Sequence, residues 1–353
     1  MVDYVMEMDH TYATDRNSTA NLTIESLYSI EEDPIYIASR QIWIYSAPVL
    51  LLVGTITNCL TISVLLRKRL RKRTTIFYLT VLAVLHLLAL YVGLCRAWLK
   101  FSFGFDIGIE TDIFCRFFTF IINFLLNMSV WVLVAVTIDR CVIVCLPNVA
   151  KRVCRLKYSK RIVAVIFASL LLADLHILWG VSIQKAHGGT EEECTHGNYF
   201  NQFIFPWISL SIGFIVPFLI MIVANFLIVR CVYLSQKRLT YHYSNTSTGS
   251  HKSTSANHGS KVSSVTTMLL ARNASFLILT LPIMIFLIVE PYHVSNQDTV
   301  AASMYLTWAI VNICDYTDHA VSFFLYCLAG TTFRKELYIM LGKTNSRHNL
   351  DSA

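Results

Sequence analysis

In this chain of 353 residues only 14% are Asp, Glu, Lys or Arg, so the ionisable side chains that interrupt apolar sequence are the first that call for a chemical reason. Asp139 and Arg140 stand side by side near the end of VLVAVTIDRCVIVCLP, Val132 to Pro147. His86 follows the apolar LAVL, Arg272 precedes the apolar FLILTLP, and Asp315, Asp318 and His319 fall together near the end of the chain. A charge at mid-bilayer costs several kcal/mol, whereas a paired charge at the rim costs far less. Asp139 and Arg140 therefore read as a pair at a membrane boundary or, alternatively, as an interfacial arginine that snorkels. No HExxH, no G-x-S-x-G and no carboxylate pair at catalytic spacing is present, so the chain is not read as an enzyme and no cofactor or metal is implied.

The elements that must position these groups are legible from hydropathy. The composition is 55% hydrophobic with mean hydropathy +0.55. The apolar residues gather into seven runs, roughly 43–66, 74–98, 113–138, 162–183, 203–230, 265–289 and 301–327. Each reaches the ~20 residues that a helix needs to cross ~30 Å of hydrocarbon. Backbone amides in lipid must bond internally, so the runs are expected to be helices. The predicted fold class is an all-α membrane protein, a seven-transmembrane helix bundle with a short amphipathic C-terminal helix. Its parts are an N-terminal tail over 1–42, a receptor-like bundle over 43–327, and a helix with a short tail over 328–353.

Charge orients the bundle. RKRLRKR, Arg67 to Arg73, follows the first run, and Lys151, Arg152, Arg155, Lys157, Lys160 and Arg161 follow the third. The positive-inside rule places both in the cytosol and the N-terminus outside, as in a multi-pass plasma-membrane protein. On the other side, sixteen acidic residues face six basic ones. The net charge of +7 thus hides an acidic exterior and a basic interior; it suits anionic membrane lipid and does not point to nucleic acid. Asn17-Ser-Thr and Asn21-Leu-Thr are sequons in the outer tail, and no cleavable signal precedes the first run. Only Cys115 and Cys194 fall at the oxidising face, where they either pair or remain free thiols; the other eight cysteines read as small apolar fillers. Residues 235–264, rich in Ser and Thr, are expected to form a disordered cytoplasmic loop. In TTFRKELYIMLG, Phe333, Leu337 and Leu341 make an apolar stripe with Arg334 and Lys335 off it, as in a helix lying on the inner leaflet.

Taken in order, these features resemble the rhodopsin-like (class A) G-protein-coupled receptors over essentially residues 40–341. Asp139-Arg140-Cys141 with Pro147 eight residues on resembles the D-R-Y motif. Gly54-Thr-Ile-Thr-Asn58 resembles the first-helix signature, and Trp98 with Phe103-Gly104 that of the first outer loop. Pro217 and Pro282 match the prolines of helices five and six. Ser322-Phe-Phe-Leu-Tyr326 resembles N-P-x-x-Y, and Cys115 and Cys194 match the family disulfide. The departures are His86 for an Asp, Thr280 and Phe167 for two Trp, and Ser322-Phe323 for Asn-Pro. The carboxylate that usually holds a sodium ion is therefore missing from the second helix. His86, Ser129, Asp318 and Ser322 are read as a polar cluster in its place, with Asp318 as the relocated carboxylate. The cluster either takes up a proton on activation or holds a structural histidine.

The resemblance implies a receptor that passes agonist binding to a heterotrimeric G protein, with receptor kinases and arrestin as further partners. Pro217 and Pro282 would be pivots, Arg140 would be freed from Asp139, and Tyr326 would support it; Arg272 either faces Gα or snorkels. Helix seven has no lysine for a retinal Schiff base, and Ile122 stands where amine receptors keep an Asp. The nearest likeness is to invertebrate neuropeptide (FMRFamide-receptor-like) receptors. Arg96, Asn123, Asn127, Glu290, Tyr292, Trp308 and Asp315 are the candidate contacts for an extracellular peptide, cationic or amidated. Arg96 and Asp315 pairing with each other is the alternative. A seven-helix channel or transporter is the competing class; it predicts inverted repeats or paired broken helices, and neither is evident.

Overall fold

The computed structural model describes residues 33–185, 192–196, 200, 204–245, 255–289 and 298–342. The seven apolar runs form helices α1 to α7. These are α1 Pro34–Leu65, α2 Thr74–Phe103, α3 Asp112–Cys145, α4 Leu156–Gly180, α5 from Phe205 to Asn245, α6 Ser255–Val289 and α7 Asp298–Ala329. A shorter α8, Thr331–Met340, follows α7. Six of these, α1 to α6, contain stretches long and apolar enough to cross a membrane by length and composition. The seventh carries Asp315 and Asp318 in its middle, and the reason appears in the site below.

Local chemistry sets the ends. α1 begins ahead of its apolar run because the Asp33 carboxylate caps it, accepting from the Ile35 amide at 2.7 Å, with Pro34 in the first turn. The Thr111 hydroxyl caps α3 in the same way. α4 ends sooner than its run. After Gly180 the chain turns into β1, Val181–Lys185, which pairs antiparallel with β2, Glu192–His196, placing Ile183 opposite Cys194. This hairpin is the one departure from an all-helical bundle among the described residues. It arises because β-branched Val181 and Ile183 favour extended backbone and Cys194 is tethered to Cys115 of α3. The expectation of a disordered loop over 235–264 is corrected at both ends, where α5 continues to Asn245 and α6 begins at Ser255; residues 246–254 lie outside the described residues.

The bundle packs around α3, whose one face is buried from Cys115 to Arg140, while α4 lies at the rim. α1 lies most extensively along α7. Its Asn58 donates to the carbonyls of Gly54 and His319, and Thr57 donates to Ala320, so the first-helix signature joins two helix backbones. Gly54 leaves room there for the Leu90 side chain, which a Cβ would displace. Pro217 follows a π-helical segment, Ser211–Ile215, which accommodates its missing amide donor; Pro282 sits inside α6.

The cysteines give one confirmation and one correction. Cys115–Cys194 is a disulfide. Cys145 and Cys231 are not separate apolar fillers, because α3 and α5 bring them together as a second disulfide at the opposite end of the bundle. In α8, Phe333 is buried and Leu337 packs on the core, but Leu341 is exposed. Glu336 of α8, also buried, is held by Arg67 and Arg69 from the turn after α1.

Candidate functional site

Arg272 of α6 is 1% exposed, so it neither snorkels nor faces outward. Its guanidinium forks onto Asp318 of α7, with Nη1 to Oδ1 and Nη2 to Oδ2 both at 2.7 Å. Two parallel charge-assisted bonds are the geometry that makes a buried pair tolerable. Nη2 also lies 3.3 Å from Nε2 of His86 in α2. A guanidinium has only donors, so His86 accepts at Nε2 and carries its ring proton on Nδ1. The Ser275 hydroxyl donates to Asp318 at 3.3 Å, and His319 stacks on His86 with ring centroids 4.8 Å apart. Of the four expected members, His86 and Asp318 are brought together, and Arg272 bridges them in place of a direct His–Asp pair. Ser129 and Ser322 turn their hydroxyls back to the carbonyls of Leu125 and Asp318. Ligating atoms of His86, Asp318 and His319 lie within 4.8 Å of one another. Both Asp318 oxygens are already committed to Arg272, so these residues do not fit a sodium ion.

The next residue of α6 makes a second tie. The Asn273 side-chain amide donates to the Thr137 hydroxyl of α3 and to the side-chain Oδ1 of Asn225 in α5, both at 2.9 Å, and is fully buried. Adjacent side chains thus fasten α6 to α2 and α7 on one side and to α3 and α5 on the other.

The Asp139–Arg140 pairing expected from the sequence is not formed. Asp139 Oδ2 accepts from Thr75 at 2.8 Å and Thr74 at 3.0 Å, the first residues of α2. Arg140 is 9% exposed and its Nε has no hydrogen-bond partner. The threonines win because they stand at the start of α2, directly against this turn of α3. Tyr326 is buried beside Phe333 and interacts with Arg272, not Arg140. Pro147 opens the short helix Pro147–Val153 beyond α3.

One cavity has Arg272 and Asp318 in its wall and is lined further by Asn123, Asn127, Ser209, Thr280 and Asp315. Asp315 accepts from the Thr280 hydroxyl at 2.9 Å. Asn123 donates to the Thr119 carbonyl, and Asn127 lies 3.5 Å from buried Asp174. Two expected contacts lie elsewhere. Trp308 packs against Trp43 and Phe101 in an aromatic cluster between α1, α2 and α7. Arg96 does not meet Asp315: it binds Asp106, with Nε to Oδ1 at 2.8 Å and Nη2 to Oδ2 at 3.2 Å, joined by Lys100 at 3.5 Å. Gly108 makes room, since a Cβ there would strike the guanidinium. Glu290, Tyr292, Asn17 and Asn21 lie outside the described residues.

At that corner burial alone would raise the Asp106 carboxyl, but Arg96 and Lys100 outweigh it and hold it below its ordinary value. A depressed folded value means the stabilisation is fully present above about pH 4 and is lost as pH falls through the depressed value. Thermal unfolding followed from neutral to acid pH is expected to show this loss in the parent and not in Asp106→Asn, whose stability starts lower and lacks that step. Identical acid profiles would contradict the assignment.

Arg272 was visible in the sequence only as an oddity. A complementary signal did exist: an unmatched cation in one apolar run and surplus acids in another imply a pair inside the membrane. Asn273 gave none, because an amide in a helix announces no direction.

Residues 57–317 match the family model described as 7 transmembrane receptor (rhodopsin family). The chain is 24% identical over 233 residues to Cysteinyl leukotriene receptor 1 of Mus musculus, covering 64% of each chain. It is 23% identical over 300 residues to G-protein coupled estrogen receptor 1 of Danio rerio, covering 83% of this chain and 77% of that one. The chain thus spans just under two thirds of the first relative's length. The seven-helix order, the Cys115–Cys194 disulfide and a family match across most of the sequence agree: this chain belongs to the rhodopsin family of seven-transmembrane receptors.

Proposed function

We propose that the chain is a plasma-membrane neuropeptide receptor that couples to a heterotrimeric G protein. Its N-terminus and the Cys115–Cys194 end face outward, as the loop charges favour. The observation that carries the ligand class is Asp315. It opens into the cavity with the Thr280 hydroxyl as its hydrogen-bond partner, whereas Asp318, one turn along α7, is neutralised by Arg272. Asp315 forms no ion pair among the described residues, and a guanidinium or terminal amine of a peptide supplies one. Asn123 and Asn127 provide neutral contacts on the α3 wall. The acidic outer segments raise the local concentration of such a ligand.

Signalling then requires α6 to move, and its two ties set the barrier. An agonist acts by binding more tightly to the arrangement in which they are loosened; equal affinity for both arrangements shifts nothing. A cation held at Asp315 stands one turn along α7 from Asp318 and repels the guanidinium bound there, which weakens the Arg272–Asp318 tie. Movement of α6 at its inner end uncovers Arg140 for the G protein.

The test is to express the full chain with a promiscuous Gα and challenge it with amidated and basic neuropeptides, with lipid mediators and steroids as separate arms. The relatives named for a leukotriene and an estrogen make those arms necessary. A calcium or cAMP response to a basic or amidated peptide is expected. A response confined to the lipid or steroid arm would overturn the peptide assignment, and ion current without G-protein signalling would favour the channel alternative.

A further inference from the structure

At the end of the bundle opposite Cys115–Cys194, Cys145 closes α3 and Cys231 lies on α5, with Cα atoms 5.6 Å apart. That separation lies within the range a disulfide spans without backbone movement. Cys145 is five residues beyond Arg140, about 7.5 Å along the helix, and Cys231 is six residues beyond Asn225, about 9 Å. The cross-link thus lies just past the Thr137–Asn273–Asn225 bridge, on the side where α3 and α5 frame Arg140. Both cysteines are half-buried. With the orientation of the proposed function, on which this inference rests, this end faces a compartment kept reducing, where disulfides are transient and regulatory.

We propose that Cys145 and Cys231 form a reversible redox site, oxidised by a low-molecular-weight disulfide, that clamps α3 to α5 and lowers G-protein coupling. The Cys145 thiolate attacks one sulfur of the small disulfide and expels the other half as a thiolate. The resulting mixed disulfide is attacked at the Cys145 sulfur by the Cys231 thiolate, which releases the second small thiol. The net exchange oxidises two protein thiols to one cystine and reduces one small disulfide to two thiols; excess small thiol reverses it. Cys154, a neighbouring thiol whose Sγ lies 3.9 Å from the Asp139 carbonyl oxygen, does not compete. Burial and the Asp139 charge push it up to about 11, so it stays protonated near neutral pH. Clamping matters because the Asn273 tie of α6 rests on both Thr137 of α3 and Asn225 of α5, so locking those two helices together holds the seat that α6 must leave. A cross-link does so without touching the ligand cavity.

The experiment uses membranes holding the full chain, exposed to oxidised or reduced glutathione, with two readouts. Mass spectrometry of unreduced peptides is expected to find Cys145 linked to Cys231 after oxidation and not after dithiothreitol. Ligand-independent nucleotide exchange on a promiscuous Gα is expected to fall by about five-fold or more, the lower range of coupling between distinct sites. It is expected to stay level in Cys145→Ser and in Cys231→Ser. Absence of the linked peptide overturns the site. A linked peptide with unchanged exchange, or an equal fall in the serine variants, overturns the clamp. If no exchange occurs even under reduction, it is the receptor reading that fails, and the linked peptide alone decides whether the thiols form the site.

Discussion

Asp318→Asn is expected to lower the thermal stability of the purified protein and to raise its ligand-independent signalling. The substitution leaves the Arg272 guanidinium in place, 1% exposed, with its bidentate partner gone. Removing one member of a buried ion pair costs about 3–5 kcal/mol because the remaining charge stays desolvated. The conformation that relieves this is one in which α6 leaves its seat and Arg272 reaches water, which is also the movement assigned to activation. A second variant separates the two effects. Arg272→Met combined with Asp318→Leu removes both charges and keeps apolar volume, and such replacements of buried pairs are often neutral or stabilising. The double variant is expected to recover stability while its basal signalling stays raised, since the tie between α6 and α7 is absent. A single variant as stable as the parent would show that Arg272–Asp318 is not a structural tie.

The second large effect concerns the ligand. On the proposed reading, Asp315→Asn is expected to shift the potency of a basic peptide agonist by about 30-fold to a few thousand-fold, the range for losing one partner of a buried, hydrogen-bonded charge pair at an interface, about 2–5 kcal/mol. Surface expression is expected to hold, because the hydrogen bond from Thr280 can be accepted by the amide oxygen. The same peptide with its basic group replaced by a neutral isostere should lose potency on the parent and lose little more on the variant. Equal losses on both would place the basic group elsewhere.

The helices were legible because spanning a bilayer needs only length and apolarity, and six runs meet it outright. The Cys115–Cys194 disulfide was legible because charge pattern and family pattern agree on those two cysteines. What failed to read were directions. Arg272 and Asp318 are 46 positions apart, and only the packing of α6 on α7 aims them at each other. Asp139 and Arg140 are adjacent, yet successive residues on a helix point about 100° apart; the carboxylate meets α2 while the guanidinium does not. Trp308 reads equally as a cavity wall or a packing residue, and Trp43, 265 positions away, decides it. Ser and Thr richness over 235–264 suggested disorder, but both flanking helices extend into the segment. Cys145 and Cys231 were assigned by compartment alone, which says nothing of proximity.

The central claim is that rearrangement of α6 uncovers one guanidinium, that of Arg140, to a G protein. The direct measurement is guanine-nucleotide exchange on a panel of heterotrimers by Arg140→Ala introduced into the Asp318→Asn background, with surface display checked in parallel. Exchange is predicted to vanish while display persists. Undiminished exchange from a properly displayed Arg140→Ala variant would contradict the account.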